Sequence, residues 1–338
     1  MPATIKDVAR LAHCSIKTVS RVINAEPNVT EETRARVQTA IRDAGYAPNI
    51  SARRLVQQKS YMICLLMPPD YYPTASNVLA RLLDAGFENN YDILLQIYFA
   101  ARPRSRTRLV NLIYEHRIDG IVTTPPLDTD SFFSDLLNTY KVPQVQINPF
   151  NRSSAIPYVA GEDYQGAYAM AEHLLQLGHR RIGFLKGPRN LRASFDRLYG
   201  FQSALDTHGI PFTPESAVES GFSFAGGYSA ARVVLGQTPR PTAIFAGNDQ
   251  AAFGAIFAAQ EMGLRIPHDL SVCGCDDLDF SGQVWPGLTT VHQPGEEIVE
   301  AAAHLLVDIL EGRPPVKAQV ILPSHLVIRA STAPPSLA

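Results

Sequence analysis

From Tyr61 onward, strand-length apolar runs alternate with helix-length amphipathic ones, and this alternation limits the possible folds more than any single motif does. Segments 62–67, 92–97, 120–123, 144–147, 182–185, 242–245 and 270–274 read as strands. Between them, 76–89, 164–177, 195–207, 225–235, 249–262 and 296–311 read as helices. Short strands separated by helices cannot pair through hairpins, so they predict parallel sheets built from β-α-β units and covered by helices on both faces. A stretch of roughly 280 residues is long enough for two such lobes. Ligands in sheets of this kind sit at the carboxyl ends of the strands, and between two lobes the cleft is the default site.

The 338 residues carry a net charge of −2, which conceals an asymmetry. Residues 1–60 hold ten Lys and Arg against five acids, and the remainder holds 20 against 27. A basic head on an acidic body points to a polyanionic partner for the head. No apolar run approaches the ~18–20 residues of a membrane span. The first residues lack the basic, apolar and small-residue succession of an export signal, so the reading is a soluble protein of the cytoplasm with no membrane partner. Cys14, Cys64, Cys273 and Cys275 form no C-x-x-C pair, have no His at zinc spacing, and read as reduced thiols. Sequence signatures of a phosphate loop, a dinucleotide fold, a zinc protease and a nucleophile elbow are all missing, so the expectation is a non-enzyme with no catalytic residues, metal or cofactor.

Within the head, Thr4 can cap a short helix with Ile5, Val8, Ala9 and Ala12 on its apolar stripe. After a tight turn at His13-Cys14, a second helix opens at Ser15 with Ile16, Val19, Val22 and Ile23 as apolar positions. A third, 31–44, is entered at Thr30 and stopped by Gly45, and Ala35, Val37, Ala40 and Ile41 are expected to close the small core. An ordinary helical hairpin satisfies this pattern, and so does a helix-turn-helix whose second helix enters the DNA major groove. In the second case Lys17 can reach guanine O6 and N7, Ile16 a thymine methyl, and Arg21 either a base or a phosphate.

Thr4-Ile-Lys-Asp-Val-Ala-Arg-Leu-Ala, Ser15-Ile-Lys-Thr-Val-Ser-Arg-Val-Ile-Asn24, Val29-Thr30, Thr33-Arg34, Gly45-Tyr-Ala-Pro-Asn49 and Ser51-Ala-Arg-Arg-Leu55 together resemble the head of the LacI/GalR family of bacterial transcription regulators. The resemblance implies DNA contacts from Thr4, Ser15, Ile16, Lys17, Thr18, Ser20, Arg21 and Asn24. It also implies a hinge in which Asn49, Ala52 and Arg53 face the minor groove and Leu55 wedges into a base step. His13 stands where the family usually has Gly, at a turn position that tends to be left-handed, and is expected to strain the turn slightly.

The body continues the resemblance at Leu177-Gly-His-Arg-Arg-Ile-Gly183, Gly187-Pro188, Arg197, Gly200-Phe201, the run from Pro241 to Asp249, Asp276-Asp277, Pro286 and the run from Leu288 to Pro294. It implies a periplasmic-binding-protein-like core of two lobes joined by three crossovers near 160–162, 291–293 and 322–324. The domain reading is a helix-turn-helix head at 1–47, a hinge at 48–60 and a body at 61–332. Lobe 1 takes about 61–161 and 293–322, and lobe 2 about 162–292 and 323–332. Carried over position by position, the effector contacts are Arg197, Asn248 and Asp276, Phe222 as an aromatic wall, and Asn148 from the first lobe. That set suits a sugar, with a nucleobase or nucleoside as the alternative within the family. For Asn248-Asp249 the competing reading is helix capping, above all for Asp249; for Arg197 it is a surface ion pair. Pro68 and Pro69 stand where many members have a polar ligand contact, and proline offers no N–H. The implied protein is a homodimeric repressor on a near-palindromic double-stranded operator, without the leucine-heptad tail of a tetramer. A sugar-transport binding protein shares the core but lacks such a head.

Overall fold

The structure, a computed structural model, describes residues 3–23, 28–46, 59–69, 72–115, 117–152, 155–313 and 316–336, with backbone alone for 72–77. Contacts divide the chain into two units, Met1–Ser60 and Tyr61–Ala338.

The head is three helices: α1 (Ile5–Leu11), α2 (Ile16–Ile23) and α3 (Glu31–Ala44). Each start is chemically marked. The Asp7 carboxylate accepts from the Thr4 backbone N–H at 3.0 Å and from its hydroxyl at 2.7 Å, and Ser15 Oγ accepts from Thr18 N at 3.0 Å. Thr30 Oγ1 accepts from Thr33 N at 3.3 Å, and Gly45 ends α3 at φ 59. Val8, Ala9, Ala12, Val19, Val22, Val37 and Ala40 are buried together. One expectation fails here: Ala35 is exposed and closes nothing, because it lies on the α3 face opposite Val37 and Ala40. Ile16, which opens α2 ahead of the first turn that packs, is 45% exposed. His13 adopts φ 49. A side chain in that region costs on the order of 1 kcal/mol, so His13→Gly should stabilise the head by about that amount, read as a rise in the thermal unfolding midpoint.

In the body, a six-stranded parallel sheet runs in the order β11-β5-β4-β3-β1-β2, formed by β1 (Met62–Met67), β2 (Asp92–Ile97), β3 (Gly120–Thr123), β4 (Gln144–Ile147), β5 (Tyr158–Gly161) and β11 (Gln319–Leu322). A four-stranded parallel sheet, β7-β6-β8-β9, comprises β6 (Ile182–Lys186), β7 (Ala217–Glu219), β8 (Ala243–Ala246) and β9 (Ser271–Cys273). A third, antiparallel ribbon pairs β10 (Thr290–His292) with β12 (His325–Val327).

Strand alternation sorts each sheet's two faces. Ile63, Leu65 and Met67 of β1 enter one core with Leu82 and with Ala302 and Leu306 from α4 (Tyr72–Glu88) and α11 (Gly295–Leu310). Cys64 and Leu66 enter the opposite core, with Leu109, Phe133 and Leu137 from α5 (Pro103–Tyr114) and α6 (Ser131–Tyr140). The second sheet is covered by α7 (Asp163–Gln176) and α8 (Arg192–Thr207) on one face, and by α9 (Phe224–Leu235) and α10 (Asp249–Glu261) on the other. The α9–α10 crossing is close because a Cβ on Gly254 would strike the Phe224 carbonyl oxygen, and one on Gly227 the Ala251 carbonyl oxygen. The chain passes between the lobes three times, at 161–163, 292–295 and 322–325. Helices α5 and α6 and strands β5, β7, β10, β11 and β12 were not among the expected elements: several are three or four residues long, and α5 opens on an arginine-rich polar run that hides its apolar stripe. All four cysteines are free.

Candidate functional site

In the head, α2 puts its first turn outward. Lys17 and Ile16 are exposed at its start, while Thr18 is drawn back by the 2.9 Å contact of its hydroxyl with Ser15 Oγ. Ser20 and Arg21 are half-buried one turn later, on the side away from Val19 and Val22. Thr4 and Ser15 are spent mostly on helix starts. Asn24, Asn49, Ala52, Arg53 and Leu55 lie outside the described residues.

In the body, the carboxyl ends of the second-lobe strands converge on Arg197. This residue is 6% exposed and projects from the second turn of α8. Its Nε donates to Asp163 Oδ1 at 2.9 Å, its Nη1 to the Gly247 carbonyl at 2.6 Å, and its Nη2 lies 2.9 Å from Asp276 Oδ1. The guanidinium carbon stands 5.4 Å from the centre of the Phe222 ring. Gly187 and Gly247 make room for that ring, since a Cβ at either would collide with it. Asp276 and Asp277 both adopt positive φ, 121 and 57, the strained backbone expected where a loop is held for its side chains. Burial lifts the Asp276 carboxyl above the usual carboxylate range, opposed by Arg197, and about a quarter of its side chain (27%) stays exposed.

Four of the five expected effector residues thus come together in space. Asn248 caps α10 through a 3.0 Å bond from Ala251 N and donates to the Phe222 carbonyl at 3.2 Å, which ties it to the wall as well as to the helix. Asp249 does not cap, contrary to the expectation. Fully buried, it accepts from Leu278 N at 2.9 Å, Ser281 Oγ at 2.6 Å and Thr290 Oγ1 at 2.5 Å, because the loops after β9 fold over its helix start. Asn148, in the first lobe, gives its Oδ1 to the Gly161 N–H at 2.9 Å, and among the described residues no hydrogen bond joins it to the other four. Pro68 and Pro69 follow β1 at its carboxyl end.

Sequence reasoning missed Asp163, Arg152 and Ser194. Asp163 lay just outside the helix expected at 164–177, and Arg152 lay in a loop with no periodicity to read. Asp163 is 4% exposed and holds Arg197 from a different helix. The Ser194 hydroxyl, buried one turn before Arg197, has no hydrogen-bond partner among the described residues and stands beside the Phe222 ring over Gly187.

Residues 4–49 match the family described as "Bacterial regulatory proteins, lacI family", and residues 171–332 match a periplasmic binding protein-like domain. The transcriptional repressor PurR of Klebsiella pneumoniae is 33% identical over 332 residues, 98% of this chain and 97% of its own. The lac repressor dimer bound to operator and an anti-inducer is 28% identical and superposes with a TM-score of 0.80, covering 98% of this chain and all of that one. The regulator CelR in complex with cellobiose is 27% identical with a TM-score of 0.75, covering 97% of this chain and 99% of that one. A basic three-helix head with an outward-facing second helix, a two-lobe body of parallel sheets and full-length similarity all agree: the chain belongs to the lacI family of bacterial DNA-binding transcription regulators.

Proposed function

We propose that the protein is a homodimeric repressor of the cytoplasm whose hold on operator DNA is set by a small uncharged sugar bound between the lobes of the body. One observation carries the effector half. Arg197 already serves Asp163, Asp276 and the Gly247 carbonyl, so the site offers a ligand a carboxylate oxygen of Asp276 beside the Phe222 face, not a bare cation. A sugar supplies hydroxyl protons for that oxygen and a C–H face for the ring, whereas an anion would meet a guanidinium that is already neutralised. The cellobiose in the CelR complex is a ligand of this chemistry. The breadth of the Phe222 face favours a second reading, a flat nucleobase or nucleoside whose N–H edge meets Asp276.

In the DNA half, Lys17, Ile16 and Arg21 read base edges from α2, supported by Thr4, Ser15, Thr18, Ser20 and Asn24, and the hinge residues Asn49, Ala52, Arg53 and Leu55 take the minor groove. The boundaries follow the same reading: head 1–47, hinge 48–60, body 61–332. Two heads related by a dimer axis read a near-palindrome with half-sites about one helical turn apart. Large aromatics left open on the body, Phe87 and Trp285 each 87% exposed and Phe280 62%, are available to such an interface. No helix among the described residues is long and apolar enough to cross a membrane.

The test is thermal unfolding of the full-length protein against a panel that includes cellobiose, ribose and the common nucleobases. A ligand at 100 times its dissociation constant adds about 2.7 kcal/mol, a shift on the order of 5 °C or more. A sugar that shifts the midpoint supports the reading; a response to nucleobases alone overturns its sugar half. For the DNA half, Lys17→Ala should weaken binding to a duplex selected in vitro by the wild-type protein by about 10–100-fold and leave the panel response unchanged. Equal loss of both functions would refute the division of labour.

A further inference from the structure

Arg152 is not among the residues read above as effector or DNA contacts, yet its surroundings are unusual for a loop arginine. It stands between β4 and β5 of the first lobe, with its side chain 16% exposed. Residues 148–151 are fixed to that lobe: Asp128 Oδ2 accepts from Phe150 N at 2.6 Å and Asn151 N at 3.2 Å, and Asn148 Oδ1 accepts from the Gly161 N–H. From this base two side chains reach the second lobe. The Phe150 ring meets Phe195 edge-on at 5.7 Å, and the Arg152 guanidinium lies between two buried carboxylates, 3.7 Å from Asp163 Oδ2 and 3.5 Å from Asp196 Oδ2.

Both carboxylates are already held by second-lobe arginines at contact distance. Arg192 Nε lies 2.7 Å from Asp196 Oδ1, and Arg197 Nε 2.9 Å from Asp163 Oδ1. The charges therefore alternate without a break: Arg192, Asp196, Arg152, Asp163, Arg197, Asp276. Within that series the second lobe alone carries one excess negative charge, and Arg152 supplies the balancing positive one from across the joint. It does so loosely. Charge-assisted bonds of this type close to about 2.7–2.9 Å. Arg152 exceeds that to both carboxylates, reaches the Gly161 carbonyl only at 3.5 Å, and has a buried Nε with no hydrogen-bond partner among the described residues.

We propose that Arg152, with Phe150 beside it, is a clasp by which the first lobe holds the second, and that through the shared Asp163 it is a positioning residue for the effector arginine Arg197. The proposal rests on the effector reading only for that last link; the clasp itself acts with the cleft empty. Because Asp163 divides its two oxygens between Arg197 and Arg152, tightening or slackening the clasp changes how firmly Arg197 is aimed. Movement of the lobes and occupation of the cleft thereby share one carboxylate. The contact is electrostatic, long and partly open to solvent, so mobile ions weaken it.

Hydrogen exchange of the ligand-free, full-length protein tests this. Arg152→Met leaves Asp163 with Arg197 and Asp196 with Arg192, so the chain should fold with an unchanged thermal midpoint. Peptides covering 148–152 and the first turns of α7 and α8 should then exchange about tenfold faster, corresponding to roughly 1.4 kcal/mol. Arg152→Lys keeps the charge and should restore most of the protection, which a purely steric role would not allow. Raising salt from about 0.05 M to about 0.5 M should speed exchange of the same peptides in the wild type and hardly at all in Arg152→Met. Exchange within twofold of wild type in Arg152→Met would overturn the clasp. Loss of protection throughout the second lobe would overturn it too, by making Arg152 a folding residue. Clasp behaviour as expected with no sugar response in the panel would leave the joint established and the effector reading refuted.

Discussion

Asp249→Ala is expected to lower the stability of the protein by about 3–5 kcal/mol, a drop in unfolding midpoint on the order of 10 °C. Its carboxylate is sealed from solvent and is the acceptor for three donors, Leu278 N–H and Ser281 Oγ–H from the one segment between β9 and β10, and Thr290 Oγ1–H from β10 itself. Alanine leaves the buried Ser281 and Thr290 hydroxyls and the half-buried Leu278 N–H unpaired, at a desolvation cost of about 1–3 kcal/mol for each buried donor. Part of that is returned because a buried carboxylate is itself expensive. Burial pushes the Asp249 carboxyl above its ordinary value, against the hydrogen bonds that pull it down. The sign of the pH dependence follows. A group whose folded-state affinity for protons exceeds its unfolded one binds more protons in the native state, so its contribution to stability falls as pH rises from the unfolded carboxylate value, about 3.9, through the folded one. Asp249→Asn should abolish that slope. It should also cost less than alanine, because one carbonyl oxygen still accepts and the two hydroxyls can turn. Urea unfolding at several pH values reads both effects; an alanine variant within 1 kcal/mol of wild type would show that the hub does not hold these loops.

The second large effect belongs to Arg197. Arg197→Ala should abolish the effector-induced shift and weaken effector binding at least 100-fold, about 2.7 kcal/mol, because the Asp276 oxygen that meets the ligand loses its anchor. Stability suffers as well: Asp163 keeps only the long contact to Arg152, and Asp276 keeps no cation, so two largely buried carboxylates lose their paired charge. Arg197→Lys separates the two consequences. Lysine preserves the charge and should hold most of the stability, but a compact ammonium cannot serve Asp163, Asp276 and the Gly247 carbonyl at once, so effector affinity should still fall about tenfold. Calorimetric titration with the sugar found by the panel distinguishes the outcomes. Wild-type affinity in Arg197→Lys would mean that the fork of the guanidinium does not shape the site.

Much of the architecture was legible along the chain because local chemistry fixes it. Thr30 and Gly45 mark the two ends of α3 at the residues expected, since a hydroxyl cap and a left-handed glycine act on the turn next to them. The alternation of Ile63, Leu65 and Met67 with Cys64 and Leu66 announced a strand buried on both faces, because side chains two apart share a face whatever lies beyond them. Arg197, Asp276 and Phe222 were found through resemblance to a family, and the fold brings the three together.

The remainder was decided in three dimensions. Asp249 read as a cap because it follows Asn248 at a helix start, but its actual donors arrive from 29 to 41 residues away. Asp163 and Arg152 carried no periodic or motif signal, and their roles appear only when α7, α8 and the β4–β5 loop meet at the joint. The sequence by itself determined the longer helices and strands, the two ends of α3 and which family the chain resembles. The partners of its buried charges were decided by tertiary structure alone, because a carboxylate out of water must find its donors wherever folding delivers them, and sequence distance sets no limit on that search.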